Sequence, residues 1–478
     1  MSDYSTEREE VPQLLAEVMS LLAGARGAFN QDRTHRRGAA LVFGALFTFA
    51  RHTVTQELRA LGLIDVDWSA FYRLFSRRRY DPRGLESQLL QETLADISWE
   101  LPYVVGIDGV RIPRTGRHVG GVSWWPAQDT APFQRGLKRA QRFVEVAWLT
   151  PLEKGYSRAV PLRWEPAISQ KAVASIAEPR KEWEAGVELL KWVRRELDEA
   201  GRESQQLLVL ADGGYDINDI WNQVPERTTL MVRCAKNRAL YHLPGAGTGK
   251  RGRPRDYGAR LPRPDSMLRQ KGDWDKRTVL IRGRERTLQY RVVGPVLVQK
   301  AADHPLYLVI VRGKQWQVGK RRRRTLRRKP AYYLVAAEWK DEKWELPLPI
   351  EDLLVWAWQR WEVEVAHREM KSSFGVGEKQ CWGPRSALVS VQWSVWVYAV
   401  LVLAGYRTWG ITGGPRLVGR WWRKAHRWSF SALWQAYRSA LWGCGDFRAL
   451  WTATADNWTK KEAWIAGLWN AVGSSARI

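Results

Sequence analysis

Asp108, Asp212 and Glu364 are the residues of this 478-residue chain whose types and spacing could do metal-dependent chemistry. Asp108 ends the apolar run Tyr103–Ile107, and Asp212 ends a second one, Leu207–Ala211. Glu364 lies in Glu351–Phe374, a segment with helical periodicity. An acid at the tip of a buried strand is costly unless it holds a cation or a base. Three such acids converging from distant parts of one chain would make a two-metal phosphoryl-transfer site.

Three glutamates compete on the last segment, and helical geometry separates them. With about 100° per residue and Arg360 as zero, Glu364 falls near 40°, Lys371 near 20° and His367 near −20°. These four residues form one polar stripe. Leu354, Trp358, Trp361 and Val365 cluster at roughly 100–160°, an apolar stripe that would dock on a sheet, and Glu362 and Glu369 fall beyond it near 180–200°. Glu364 alone shares a face with both Arg360 and Lys371. A metal-binding carboxylate between two cations suits a place where phosphates must also be held, whereas a plain surface ion pair would be the bland reading.

The elements that must position these acids follow from periodicity. Tyr103–Ile107, Phe143–Trp148 and Ala159–Trp164 read as strands, Glu182–Leu197 as a helix, Leu207–Ala211 as a strand, Asp216–Asn222 as a short helix and Thr229–Cys234 as a strand. An antiparallel start followed by a βαβ unit is the ribonuclease-H-like plan, a mixed α/β sheet flanked by helices. We expect residues 98–235 to form the first part of this core and 348–405 its final helices. Residues 236–347 read as a β-rich insertion, with strands at Thr278–Ile281, Thr287–Val293, Leu306–Val311 and Ala331–Ala337. Residues 1–97 read as a helical DNA-binding region. Within it, a helix ending near Gly62 and another starting near Asp67, closed by Arg77, Arg78 and Arg79, could make a helix-turn-helix with a basic recognition helix. Residues 406–478 read as a helical terminal region. Its tryptophans, Trp421, Trp422, Trp434, Trp442, Trp451, Trp458, Trp464 and Trp469, are most simply core residues.

The chain carries 76 Lys and Arg against 50 Asp and Glu, a formal charge of +26. That excess is an electrostatic footprint for a polyanion. It is spread along the whole chain, not gathered on one amphipathic helix, which argues against a membrane surface as the partner. Lys320–Lys329 is the densest run, including Arg321, Arg322, Arg323 and Arg324, and the flanking Trp316, Tyr332 and Tyr333 favour a nucleic-acid surface. Gly252-Arg253-Pro254, in a Gly/Pro/basic loop, has the composition of a minor-groove hook. Cys234, Cys381 and Cys444 are far apart in no zinc spacing, and the segment Ser2–Glu10 is polar. A reduced, cytoplasmic protein is the expectation. Ala387–Ala404 is long and apolar enough for a membrane span, but Ser390, Gln392 and Ser394 interrupt it, so a buried core helix is expected.

Several motifs now line up in order. Arg360, Glu364 and Lys371 match the spacing Y-x-x-R-x-x-x-E-x-x-x-x-x-x-K, with Ala357 at the tyrosine position and Trp356 and Trp358 beside it. Arg360-Trp361-Glu362-Val363-Glu364 is similar to R-W-x-I-E, Asp212-Gly-Gly-Tyr215 to D-R-G-Y, and Ile107-Asp108-Gly109 to the stretch around a first catalytic aspartate. Over residues 100–400 the chain resembles the DDE-class transposases of bacterial insertion sequences, the cut-and-paste type whose core is interrupted by a β-strand insertion. The resemblance implies that Asp108, Asp212 and Glu364 hold two Mg²⁺ ions, with Mn²⁺ able to substitute. It implies cleavage of transposon ends followed by strand transfer into target DNA. Arg360, Lys371 and Tyr215, together with the basic residues above, would contact double-stranded DNA. A homodimer in the synaptic complex and a nucleoid-associated place of action are also implied. A ribonuclease-H-like nuclease without strand transfer and a domesticated DNA-binding protein are the rival readings.

Overall fold

The computed structural model describes residues 11–116, 118–127, 136–172, 178–245, 256–318, 324–416 and 426–443. Helices α1 (Gln13–Gly24), α2 (Asp32–Phe47), α3 (Val54–Ala60), α4 (Ser69–Ser76) and α5 (Pro82–Leu94) precede the first strand. Thr53 caps α3, its hydroxyl accepting from Gln56 N at 3.3 Å, and Asp81 with Pro82 starts α5 in the same manner. The pair α3–α4 is present, but the arginine triplet does not belong to its second helix. Phe71, Leu74 and Phe75 are buried and Arg77 is already extended. Buried Tyr80 bridges to Phe29 and draws the chain back. Asn30 N donates to Arg79 O at 3.2 Å and Asn30 Nδ2 to Arg78 O at 3.0 Å. Arg77–Arg79 therefore form a turn beside the helix, a correction to the expected basic recognition helix.

The core strands are β1 (Tyr103–Pro113), β2 (Val122–Pro126), β3 (Leu137–Leu149) and β4 (Ala159–Pro166). After them come α6 (Glu182–Glu199), β5 (Leu207–Ala211), α7 (Asn218–Trp221) and β6 (Thr228–Arg233). β1 pairs antiparallel with β3 and parallel with β5, and β5 pairs parallel with β6. This is the mixed sheet expected from the strand order. Helices cover both faces of it. A Cβ on Gly106 would collide with Val363, on the last-but-two helix, whereas one on Gly109 would meet Glu182 of α6. Alternate residues of β1 thus face opposite helical layers.

The next elements are β7 (Tyr241–His242), α8 (Pro264–Arg269), β8 (Asp275–Ile281), β9 (Arg284–Val298), β10 (Ala301–Val311), β11 (Lys314–Val318), β12 (Arg324–Arg328), β13 (Ala331–Ala336), β14 (Glu338–Lys340) and β15 (Lys343–Glu345). The four strands expected over 236–347 are here, yet they do not make a separate sheet. β13 pairs antiparallel with β6, and the order β2-β3-β1-β5-β6-β13-β10-β9-β7 runs through one 11-stranded sheet. The outer edge of β6 would otherwise expose unpaired backbone groups.

Helices α9 (Ile350–Gln359), α10 (Trp361–Ser372), α11 (Pro384–Trp409) and α12 (Phe430–Gly443) are the last elements of the described residues. The expected continuous helix over Glu351–Phe374 is broken at Arg360, whose N–H bonds to Trp356 O while its carbonyl takes Val363 N in a tighter i+3 turn. Trp361 is 51% exposed, off the apolar stripe assigned to it, because α10 packs instead through Val363, Ala366 and Met370 on its opposite face; Leu354 and Val365 are buried. α11 lies inside the protein against α1, α4, α5 and β4. Two of its three interrupting polar side chains are satisfied there: Gln392 Nε2 donates to Trp164 O at 3.1 Å and Ser394 Oγ to Ser390 O at 3.0 Å, while the Ser390 hydroxyl is buried without a hydrogen bond. Trp434 of α12 is buried. Trp421, Trp422, Trp451, Trp458, Trp464 and Trp469 lie outside the described residues, as does the side chain of Trp442.

Candidate active site

Asp108 and Asp212 meet because two parallel strands end together. Ile107 pairs with Ala211, so the next residue on each strand is an aspartate. β5 stops there while β1 runs on, paired with β3, which opens the sheet beside Asp108. Asp108 Oδ1 accepts from Gly109 N at 2.8 Å, and Asp212 Oδ1 accepts from Gly214 N at 2.8 Å at the start of a short 3₁₀ turn. Burial pushes the Asp108 carboxyl above its ordinary range and the Asp212 charge adds to this, opposed by His367, Arg360 and the Gly109 N–H.

Glu364 is brought to the Asp108 side of the sheet because α10 approaches β1 closely. Gly106 has no side chain, and Val363 fills the space a Cβ would take. Gly106→Ala should therefore push α10 off the sheet, with an overpacking cost of roughly 1–3 kcal/mol. Chemical denaturation would read that loss, and DNA cleavage should fall more steeply than stability. Full activity in a destabilised Gly106→Ala protein would show that the height of α10 on the sheet is immaterial.

Arg360 links the two sides. Its Nη2 donates to Glu364 Oε1 at 2.5 Å, and its Nη1 lies 3.6 Å from Asp108 Oδ2, buried and without a hydrogen bond. Asp108 and Arg360 side chains are each 18% exposed and that of Glu364 is 31% exposed. Glu362 and Glu369 differ in kind. Glu362 is 1% exposed and paired with Arg282 at 3.2 Å and Arg427 at 2.5 Å. Glu369 pairs with buried Arg158 at 2.5 Å and accepts from Tyr398 Oη at 2.7 Å. Of the three glutamates, Glu364 has a single protein partner and a face open to solvent.

Among the described residues, no three Asp, Glu, His or Cys side chains stand close enough to hold an ion unaided. Arg360 instead supplies the positive charge between Asp108 and Glu364. The donor set nevertheless fits a hard divalent cation. It consists of carboxylate oxygens alone, one of them on a desolvated acid that gains from any nearby positive charge.

The other expected site residues divide. Lys371 is exposed at the end of α10, with Asp108 and Glu145 within electrostatic reach of its ammonium. Tyr215 is only 3% exposed, its ring packed against Gly186 and its hydroxyl without a hydrogen bond. Burial and the charges of Asp108 and Asp212 hold that phenol well above its usual pKa, so it belongs to the wall of the site and not to a DNA-facing surface. Trp356 is buried, and Arg328 lies over the Trp358 ring at 5.4 Å. Besides Tyr215, the phenol of Tyr333 on β13 feels Arg360. Arg77 and Arg78 are exposed and Arg79 half-buried in their turn. Arg253, Arg321, Arg322 and Arg323 lie outside the described residues, and Arg324 starts β12 with its side chain undescribed.

Two neighbours of the site were missed as functional residues. Glu145 stands opposite Asp108 on β3, and His367 of α10 touches it. The signal for Glu145 was present in the sequence, as a lone acid inside the apolar run Phe143–Leu149.

No curated protein matches this chain. A family of DDE superfamily endonucleases matches residues 26–292, a stretch that includes Asp108 and Asp212 and ends before Glu364. That match spans more than half of the chain, and the chain belongs to the DDE superfamily endonucleases.

Proposed function

We propose that this endonuclease is a DNA transposase that cuts transposon ends and joins them to target DNA, with Asp108, Asp212 and Glu364 as its catalytic carboxylates. The observation that supports the reading is the pairing that ends two strands in Asp108 and Asp212, with Arg360 bridging Asp108 to Glu364, the glutamate of α10 left most open to solvent. Asp108, Asp212 and Glu364 would hold two Mg²⁺ ions, or Mn²⁺, which supply activation of the attacking oxygen and neutralisation of the leaving 3′-oxygen.

The chain's own groups do the rest. Arg360 sits where it can exchange its carboxylate partners for a phosphate near the scissile bond, and exposed Lys371 offers a second cation on the same helix. The Tyr215 phenol and the β1–β5 strand ends keep the rear of the site free of water. The net charge of +26 gives salt-sensitive affinity for double-stranded DNA, as transposon end and as target. Two ends must be cut together, so a homodimer acting at the bacterial nucleoid is part of the proposal.

A mini-transposon bearing the inverted repeats that flank the gene tests this reading. Metal-dependent excision with joined product in a target plasmid is expected. Cleavage that never yields a joined product makes the chain a nuclease of the same fold. Binding without any metal-dependent nick makes it a DNA-binding protein.

A further inference from the structure

Glu145 is the lone charge in a run, Phe143–Leu149, whose other side chains are all 0–1% exposed. It pairs in register with Asp108 on one side and with Trp164 of β4 on the other, so it points to the face of the sheet that α10 covers. Its side chain is 0% exposed, and neither carboxylate oxygen has a hydrogen bond. Its ion-pair contact is Nε2 of His367, one helical turn beyond Glu364, with Trp164 edge-on to the imidazole at 5.9 Å. Lys371 and Tyr398 are further polar groups that feel its charge, and Asp108 in turn feels both His367 and Arg360.

For packing alone, an apolar residue at position 145 would serve the sheet at least as well, because a buried carboxylate without hydrogen bonds is costly. What the acid adds is a buried tie between β3 and α10, beside Asp108 on the strand and one turn from Glu364 on the helix. Those two acids come from a strand and a helix that meet only through side chains. A misplacement of about 1 Å between reacting groups costs about 10²-fold in rate.

We propose that Glu145 and His367 are positioning residues of the catalytic centre, a buried acid–imidazole pair that holds Asp108 and Glu364 in register with each other. The inference rests on the assignment of Asp108, Asp212 and Glu364 as the catalytic carboxylates.

The test compares Glu145→Gln, His367→Leu and His367→Gln with Asp108→Asn in the full chain. It measures single-turnover DNA cleavage, Mn²⁺ affinity by calorimetry, DNA affinity without metal, and thermal unfolding. Glu145→Gln and His367→Leu should each lose roughly 10–100-fold in cleavage rate and in Mn²⁺ affinity, the scale of outer-shell ligands elsewhere, with DNA affinity unchanged. His367→Gln keeps an N–H that can reach Glu145 and should recover most of that loss. If one variant does not fold, the other decides. Wild-type cleavage and Mn²⁺ binding in folded Glu145→Gln and His367→Leu would overturn the proposal. So would failure of both to fold, since the pair would then serve the core alone. Asp108→Asn separates the two levels: if it too cuts normally, the catalytic assignment itself has failed.

Discussion

Asparagine in place of Asp108 should abolish DNA cleavage and leave the protein folded and bound to DNA. The substitution keeps the shape of the side chain and removes one negative charge from the site proposed to hold a cation. The expected loss is at least roughly 10³-fold in rate, about 4 kcal/mol of transition-state stabilisation. Stability should be unchanged or slightly higher. The Asp108 carboxyl is desolvated and repelled by Asp212, and relief of such strain is a common accompaniment of lost function. Asp212→Asn should behave alike, and the double variant should be no slower than either single one, because the two acids act as a unit. A cleavage gel, fluorescence anisotropy with end DNA and a thermal melt measure the three quantities. An Asp108→Asn protein that cuts at the normal rate would remove Asp108 from the catalytic set.

The second large effect separates two glutamates on opposite sides of one helical turn. Glu362→Ala leaves Arg282 and Arg427 without their shared carboxylate, which is 1% exposed. Breaking a buried pair from one side costs roughly 3–5 kcal/mol. The low end, about 3 kcal/mol, applies here, because the Arg282 side chain is 37% exposed and can turn to water. Glu364→Ala removes a 31% exposed partner of Arg360, and pairs of that kind contribute about 0–1 kcal/mol. Glu364→Ala should therefore melt like the parent and fail to cut. Glu362→Ala should lose stability in urea titration and still cut under conditions where it is folded. The reverse pattern would exchange the roles of the two residues.

Much of the core was legible in the sequence because its signals are local. Tyr103–Ile107 and Leu207–Ala211 are short apolar runs, and each ends in an aspartate, so strand type, strand end and candidate site come from one stretch of neighbours. Arg360, Glu364 and Lys371 were placed together by helical spacing, and the i, i+4 contact between the first two survives the break in the helix. Other features were not legible because the deciding partner is far away in the chain. The strands of 236–347 have the pattern of an insertion, yet the free edge of β6 takes β13 and makes them part of the core sheet. Arg77–Arg79 continue a helical pattern on paper, and the Phe29–Tyr80 bridge takes them out of it. Trp361 fits an apolar stripe by spacing, but α10 docks through Val363, Ala366 and Met370 on the other face.

The sequence by itself determined the strands, the helices and the three candidate acids, because each depends on residues a few positions apart. Tertiary structure alone decided how those acids are used. Gly106 admits Val363 and so sets α10 against β1. Arg282 and Arg427 claim Glu362, Arg158 and Tyr398 claim Glu369, and Glu364 is left with Arg360 and solvent. The register of β1 with β3 puts Glu145 opposite Asp108. The physical reason is the same in each case: a carboxylate's role depends on which charges and how much water surround it, and those neighbours come from parts of the chain that no local pattern brings together.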